Sequence, residues 1–402
     1  MSFIQNANVG GRITVPLIIL LGTNFIAMTG VGFVIPFLPL FARQLGASGF
    51  ALGLLVAGFS LSLAVVQPFA GSFSDNYGRK RFLSAGLVIF AVCGFGYNWA
   101  DSVTDIMVVR FVQGIGAGMV FPVVTAYMAD WAPPQHEGRY MGLFNVSMMA
   151  GFGSGPIIGG ILNDLFGIKA AFYGMGCASI LALIIVVVTL PEARARKVNN
   201  ENTRLFDVFR AIIKDRRMRG VLLVRMNMMV AIFSSFVFLP VIMSEELNTS
   251  ATMIGVVITS RTLLSATLQI PFGWLADRYN RVMLTIISVL TVAILISLFG
   301  FSTMVWHVMI LFILMGVAEA LFLPTTSALA MERGHAFGMG ATMGIFNTAL
   351  TLGMFVGSIS IGFLIDQFGF GLAYVIIAGI VAFTCLVGSP MMLKPRCKDA
   401  KA

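Results

Sequence analysis

Residues 71–83 read GSFSDNYGRKRFL, and 202 residues farther on, residues 273–285 read GWLADRYNRVMLT. Gly71 matches Gly273, Asp75 matches Asp277 and Tyr77 matches Tyr279, while upstream Gln67 matches Gln269. The same offset, without a gap, matches Pro122 to Pro324, Phe144-Asn145 to Phe346-Asn347, and Asp164-x-Phe166-Gly167 to Asp366-x-Phe368-Gly369. The 402 residues are therefore two copies of one ancestral half. In an apolar chain, two tandem copies suggest a transporter whose solute site lies between them.

Hydrophobic residues make up 58% of the chain and charged residues 11%, with a mean hydropathy of +0.93. Soluble domains carry about 25% charged residues, so lipid rather than a soluble core has to cover this surface. The segment Met1–Arg12 is short and polar, and the apolar run from Ile13 has no small-residue cleavage site at its end. It is expected to be the first membrane span rather than a cleaved leader. The four cysteines (Cys93, Cys177, Cys385, Cys397) lack metal or redox spacing, and His136, His307 and His335 stand far apart. No metal centre is expected.

A span needs about 20 apolar residues, and twelve stretches qualify: 14–41, 50–71, 82–100, 105–128, 139–161, 170–190, 221–243, 251–272, 282–301, 304–330, 338–362 and 371–393. The predicted fold is an all-α membrane protein of twelve transmembrane helices in two pseudo-symmetric six-helix bundles. Residues 1–190 form the first bundle, 191–220 a cytoplasmic linker with an amphipathic segment, and 221–402 the second bundle with a short basic tail. If both termini are cytoplasmic, the inner side holds 21 of the 26 Lys and Arg residues. The outer loops hold only Arg43 and Lys169, and Arg110, Arg225 and Arg261 fall within spans or at their edges. That asymmetry sets the orientation. It also accounts for the net charge of +9 through anionic lipid headgroups rather than nucleic acid.

The loop after the second span carries Gly71, Asp75, Gly78, Arg79, Lys80 and Arg81. It resembles the G-x-L-A-D-R-x-G-R-K-R motif of the major facilitator superfamily, departing at Phe73 and Asn76. The second copy keeps Asp277 but lacks the second glycine and the lysine. The glycines permit a tight turn, and Asp75 can accept hydrogen bonds from a helix N-terminus and pair with an arginine. The resemblance implies a latch between the halves that holds one access state; the plainer reading is a solvated turn with a positive cluster. Arg110-Phe-Val-Gln113-Gly114-Ile-Gly116 in the fourth span resembles the family's R-x-x-Q-G-x-G-A motif, which implies a part in proton transfer; the alternative is a structural arginine. In the fifth span, Gly151-Phe-Gly153-Ser-Gly155-Pro156-Ile-Ile-Gly159-Gly160 resembles the G-x-x-x-G-P-x-x-G-G motif of antiporting exporters. Gly151, Gly155 and Gly159 share one helix face and allow close helix approach, and Pro156 removes a backbone donor. Gly32-x-x-x-Pro36-x-x-Pro39 is similar to the first span of drug exporters.

Among the acids, Glu319 stands out near the middle of the tenth span. A bare carboxylate at that depth is costly, which makes it a natural proton carrier. Arg261 is the candidate partner by depth, and a static Glu319–Arg261 pair is the competing reading. Arg225, near the cytoplasmic start of the seventh span, is expected to snorkel to the interface. Asp130 and its repeat mate Glu332 are expected at the cytoplasmic gate. Asn24, Gln113, Asn145, Asn227, Gln269 and Asn347 are candidates for lining a polar cavity, although each could equally bridge helices. Many drug exporters carry an acid in the first or fourth span, where this chain offers Asn24 and Arg110. The expectation is a proton-coupled exporter of amphipathic small molecules in a bacterial inner or plasma membrane, working as a monomer. The proton gradient is its energy source, with no cofactor. A transporter for one metabolite, including an anionic one, is the alternative. An enzyme is not expected, since no nucleophile–base or metal cluster lies at membrane depth.

Overall fold

A computed structural model describes residues 15–131, 137–191, 205–337 and 339–393. Arg12, linker residues 192–204 and the basic tail from Lys394 lie outside the described residues, as does the side chain of Asp75. In hydrocarbon backbone N–H and C=O groups must be satisfied within the protein, which a helix does within one segment, and the described secondary structure is helical throughout. In order these helices are α1 (Val15–Val34), α2 (Leu38–Gln44), α3 (Gly49–Tyr77), α4 (Arg79–Gly96), α5 (Val103–Trp131), α6 (Glu137–Phe166) and α7 (Ile168–Thr189). There follow α8 (Leu205–Lys214), α9 (Arg216–Val241), α10 (Ala251–Arg278), α11 (Arg281–Phe299), α12 (Val305–Phe337) and α13 (Met339–Met392).

The repeat is visible in the helix starts. Those of α3 and α10, α4 and α11, α5 and α12, and α6 and α13 are each 202 residues apart. Among the described residues, eleven segments are long and apolar enough to cross a membrane, where the sequence predicts twelve spans. The difference lies in the last segment, Thr342–Met392, of 51 residues. At about 1.5 Å per residue it is more than twice the roughly 30 Å of a hydrocarbon core. Its backbone leaves helical geometry at Gly369 (φ 72, ψ 174). The repeat mate Gly167 (φ 82, ψ 168) is the break between α6 and α7. A positive φ of this kind is open to glycine and strained for other residues.

One departure between the repeated loops has a local cause. Gly78, at the start of α4, has φ 102. Its mate Asn280 has φ −63, and its side chain accepts hydrogen bonds from the Val282 and Met283 amides to cap α11. The second copy needs no glycine there because its turn does not enter the left-handed region.

Backbone packing divides the chain into two compact units, Met1–Asn199 with Phe236–Leu263, and Asn200–Ser235 with Leu264–Ala402. The division does not follow the expected bundles: a stretch from the second repeat packs with the first. In the first unit α1 lies against α6 and α7, α3 against α5, and α4 against α5 and α7. In the second, α11 lies against α12 and α13. There the Asn227 amide donates to the Val381 carbonyl at 2.8 Å, and the Tyr374 hydroxyl donates to the Ser234 carbonyl at 3.1 Å.

The glycines of α6 explain why the start of α10 belongs to the first unit. A Cβ on Gly155 would stand 2.5 Å from the Gly32 Cα, and one on Gly159 would stand 2.8 Å from the Phe33 Cα. On another face of α6, a Cβ on Gly160 would meet the Ala251 carbonyl oxygen at 2.5 Å, and one on Gly153 would meet Leu263 at 2.9 Å. From α10, a Cβ on Gly255 would press on the Pro156 backbone. α6 is thus bare toward two neighbours at once, and backbones approach where side chains would hold them apart. Gly155→Ala should destabilise the purified protein by about 1–3 kcal/mol through overpacking. Gly142→Ala, where an added methyl meets nothing within 4 Å, should be near neutral. Thermal unfolding in detergent reads both, and equal midpoints would show that the seam is looser than described.

Candidate functional site

One ion pair among the charged residues expected at the latch and gate is duplicated by the repeat. Arg79 of α4 donates from Nη2 to Asp130 of α5 at 3.2 Å, with its Nε paired to the other carboxylate oxygen. At the mated positions Arg281 of α11 pairs with Glu332 of α12 at 2.6 Å. Arg281 also reaches Asp277 at 3.2 Å, and Arg217 approaches Glu332 at 3.5 Å. Lys80 donates to the Val187 carbonyl at 2.9 Å, while Arg81 is exposed. Arg79 and Arg281 are therefore each tied to the helix that follows their own. Asp130 and Glu332, singled out for the gate, are the acids that hold Arg79 and Arg281.

At membrane depth a charge needs a partner, and three guanidinium groups find aromatic rings. Arg110 lies 4.4 Å from the Phe59 ring centroid, Arg225 3.6 Å from that of Phe346, and Arg261 4.5 Å from that of Phe236. All three are buried, at 5%, 5% and 1% exposure. A desolvated contact of this kind contributes about 2 kcal/mol. Arg110 also donates from Nη1 to Gln113 Oε1 at 2.7 Å, an oxygen that accepts from the Tyr97 hydroxyl at 2.7 Å as well. The two named residues of the fourth-span motif thus meet in one buried polar cluster. Arg225, expected to snorkel outward, is instead enclosed by protein. Its Nε donates to the Phe346 carbonyl at 3.1 Å, so the aromatic of the facing helix holds it inside.

Glu319 is half-buried on α12, between buried Ala318 and Ala320. Of the cavity candidates, three tie helices together. Asn24 donates to Ser147 Oγ at 3.3 Å, Gln113 is engaged as above, and Asn227 bonds Val381. The mated pair Asn145 and Asn347 is exposed, and Gln269 is half-buried.

Sequence reasoning missed a cluster at the opposite end of α3 from Arg79. Arg43 pairs with Glu245 through two bonds, Nε to Oε1 at 3.1 Å and Nη2 to Oε2 at 3.0 Å. These are mated positions, 202 apart and opposite in charge. Beside them both carboxylate oxygens of Asp164 accept backbone N–H groups at the start of α10, Ala251 at 3.0 Å and Thr252 at 2.8 Å. The first amides of a helix lack intrahelical partners and favour an anion. A cavity of about 440 Å³ adjoins the cluster, lined by Arg43, Asn163, Asp164 and Glu245 among others. The signal was present in the sequence, since Asp164 recurs as Asp366 and charge reverses between Arg43 and Glu245.

Against known proteins, the family model described as Major Facilitator Superfamily matches residues 20–242 and 221–398. The chain belongs to the major facilitator superfamily. It is accordingly a multi-pass membrane transporter and not an enzyme. An uncharacterized MFS-type transporter of Methanocaldococcus jannaschii is 31% identical over 90% of this chain and 95% of that protein. The quinolone resistance protein NorA of Staphylococcus aureus is 36% identical, over 42% of this chain and 44% of NorA. Among solved structures, the nucleoside transporter NupG superposes with a TM-score of 0.78 at 15% identity, covering 95% of this chain and 100% of that one. The human organic anion transporter MFSD10 superposes with a TM-score of 0.67 at 16% identity, over 94% and 98%. These two share the fold.

The two parts of the Asp164–Arg43 cluster should differ in weight. The Arg43 and Glu245 side chains are 35% and 41% exposed, so Glu245→Gln should cost no more than about 0.2–1 kcal/mol. Asp164→Ala leaves two helix-end amides without their acceptor and should cost about 1 kcal/mol or more. Thermal midpoints in detergent rank them; a larger loss from Glu245→Gln would reverse the assignment.

Proposed function

We propose that the chain is a secondary active transporter that exports amphipathic small molecules in exchange for protons, by alternating access. In this reading it has twelve spans with both termini in the cytoplasm of a bacterial inner or plasma membrane. It works as a monomer and takes its energy from the proton gradient alone. The observation that carries the reading is Glu319, a carboxyl group set midway along a membrane-spanning helix among apolar neighbours. A proton entering from outside loads Glu319, and its release inside accompanies extrusion of the solute. Arg110, tied to Gln113 and Tyr97, and Arg261, stacked on Phe236, are the cations whose fields act on that exchange. The similarity to NorA supports drug export over 42% of the chain, and the glycine seam of α6 supports the antiporter motif read from the sequence.

A second reading is a transporter for one metabolite, including an anionic one. Three guanidinium groups buried at membrane depth favour it, since each could face an anionic group of the solute. Broad sensitivity of a deletion strain to cationic dyes fits the first reading, and loss of a single metabolite's flux fits the second.

Flux of ethidium and of a fluorescent quinolone in vesicles under an imposed pH gradient tests the coupling. Glu319→Gln should abolish gradient-driven export while gradient-free exchange of solute persists. Undiminished gradient-driven export in that variant would remove Glu319 from the mechanism.

A further inference from the structure

Arg225 is the buried cation for which the fold gives the least account. Its side chain is 5% exposed within the span Arg216–Glu246. Its protein contacts are the carbonyl of Phe346, which accepts from Nε, and the Phe346 ring. Among the described residues no carboxylate pairs with it, and its Nη1 is buried without a hydrogen-bond partner. Arg110 differs, because a side-chain oxygen of Gln113 faces it.

Two further observations point to the same place. Thr342 lies four residues before Phe346, on the same face of α13. It is fully buried, and its hydroxyl also has no partner among the described residues. Two unmatched polar groups thus flank one aromatic ring at the seam of α9 and α13, and the exposed Asn347 and Thr348 follow directly on α13. In the first repeat, the mate of Arg225 is Thr23, and the mate of Thr342 is Tyr140. The first repeat therefore has no cation at this position, and the charge is not a feature that the two halves share. A buried guanidinium with spare donors is suited to a planar oxyanion.

We propose that Arg225, with Thr342 and the Phe346 ring, forms a binding site for the carboxylate of an amphipathic organic anion. The guanidinium donates to the carboxylate, Thr342 adds a hydroxyl donor, and the aromatic seam takes the apolar body next to the charge. An anionic lipid headgroup offers the same oxyanion chemistry, and the experiment separates the two. The site needs neither proton coupling nor export, so it stands or falls apart from the transport reading.

The test is binding of 1-naphthoate to the purified full chain in phosphatidylcholine nanodiscs, with uncharged 1-naphthamide as the control. The native protein should bind naphthoate saturably and more tightly than naphthamide. Arg225→Thr, which restores the first repeat's residue, should weaken naphthoate about tenfold and leave naphthamide unchanged. Arg225→Gln carries the same expectation and keeps a donor for the Phe346 carbonyl, should the threonine variant fail to fold. Thr342→Val should weaken naphthoate by a smaller factor. Equal naphthoate affinity in the native and Arg225 variants, or no preference of the native protein for naphthoate over naphthamide, would overturn the site. Loss of naphthoate binding in discs containing phosphatidylglycerol would assign the pocket to a lipid headgroup and overturn the solute assignment.

Discussion

Where α6 meets α1, the space between the two backbones admits nothing larger than a hydrogen atom. Gly155 faces Gly32 so closely that even a methyl group would overlap it. Between membrane helices the hydrophobic effect supplies no attraction, and association depends on close packing and polar contacts. The glycines of α6 supply that closeness on two faces, toward α1 and toward the start of α10. The second face brings Ala251 and Thr252 within reach of Asp164. Without it the helix start would not reach its acceptor.

The second constraint is that charge inside the membrane must be answered locally. The three guanidinium groups of the spans answer it with aromatic rings, and Arg110 adds a side-chain amide. The repeat records how this was arranged. Arg110 stacks on Phe59, while 202 residues on the same two sequence positions hold Phe312 and Arg261, and Arg261 stacks on Phe236. Ion pairs nearer the helix ends were instead kept in register, Arg79 with Asp130 and Arg281 with Glu332. The two repeats share the end-of-helix pairs and differ at the buried cations.

Much of this was legible in the chain. The 202-residue offset relates the starts of four helix pairs to the residue, even where the local turn differs, as at Gly78 and Asn280. The spacing of Gly151, Gly155 and Gly159 announced a close neighbour, although not that Gly32, in the proline motif of the first span, would be that neighbour. Other features lay beyond one-dimensional reading. The depth of Arg225 along its helix placed it near an interface, but its fate was decided by which face it occupies and by Phe346, more than a hundred residues away. Residues 236–263 belong by sequence to the second repeat and by packing to the first unit, a distinction made by Gly153, Gly160 and Gly255 together. The break at Gly369 was anticipated by the gap between the expected spans 338–362 and 371–393, although the stretch Thr342–Met392 as a whole is apolar. Asn24, Gln113 and Asn227 were read as ambiguous between cavity and helix bridge; all three form bridges.

The account rests on the exchange of solute for protons, and the most direct measurement is the movement of the proton itself. Liposomes holding the native protein and a weakly buffered lumen carrying a pH-sensitive dye are given an external quinolone, with no pH gradient imposed. Entry of the quinolone down its gradient should drive protons out, so the lumen becomes more alkaline at a rate set by the amount of protein. Quinolone entry at a protein-dependent rate with no change in luminal pH would contradict the account.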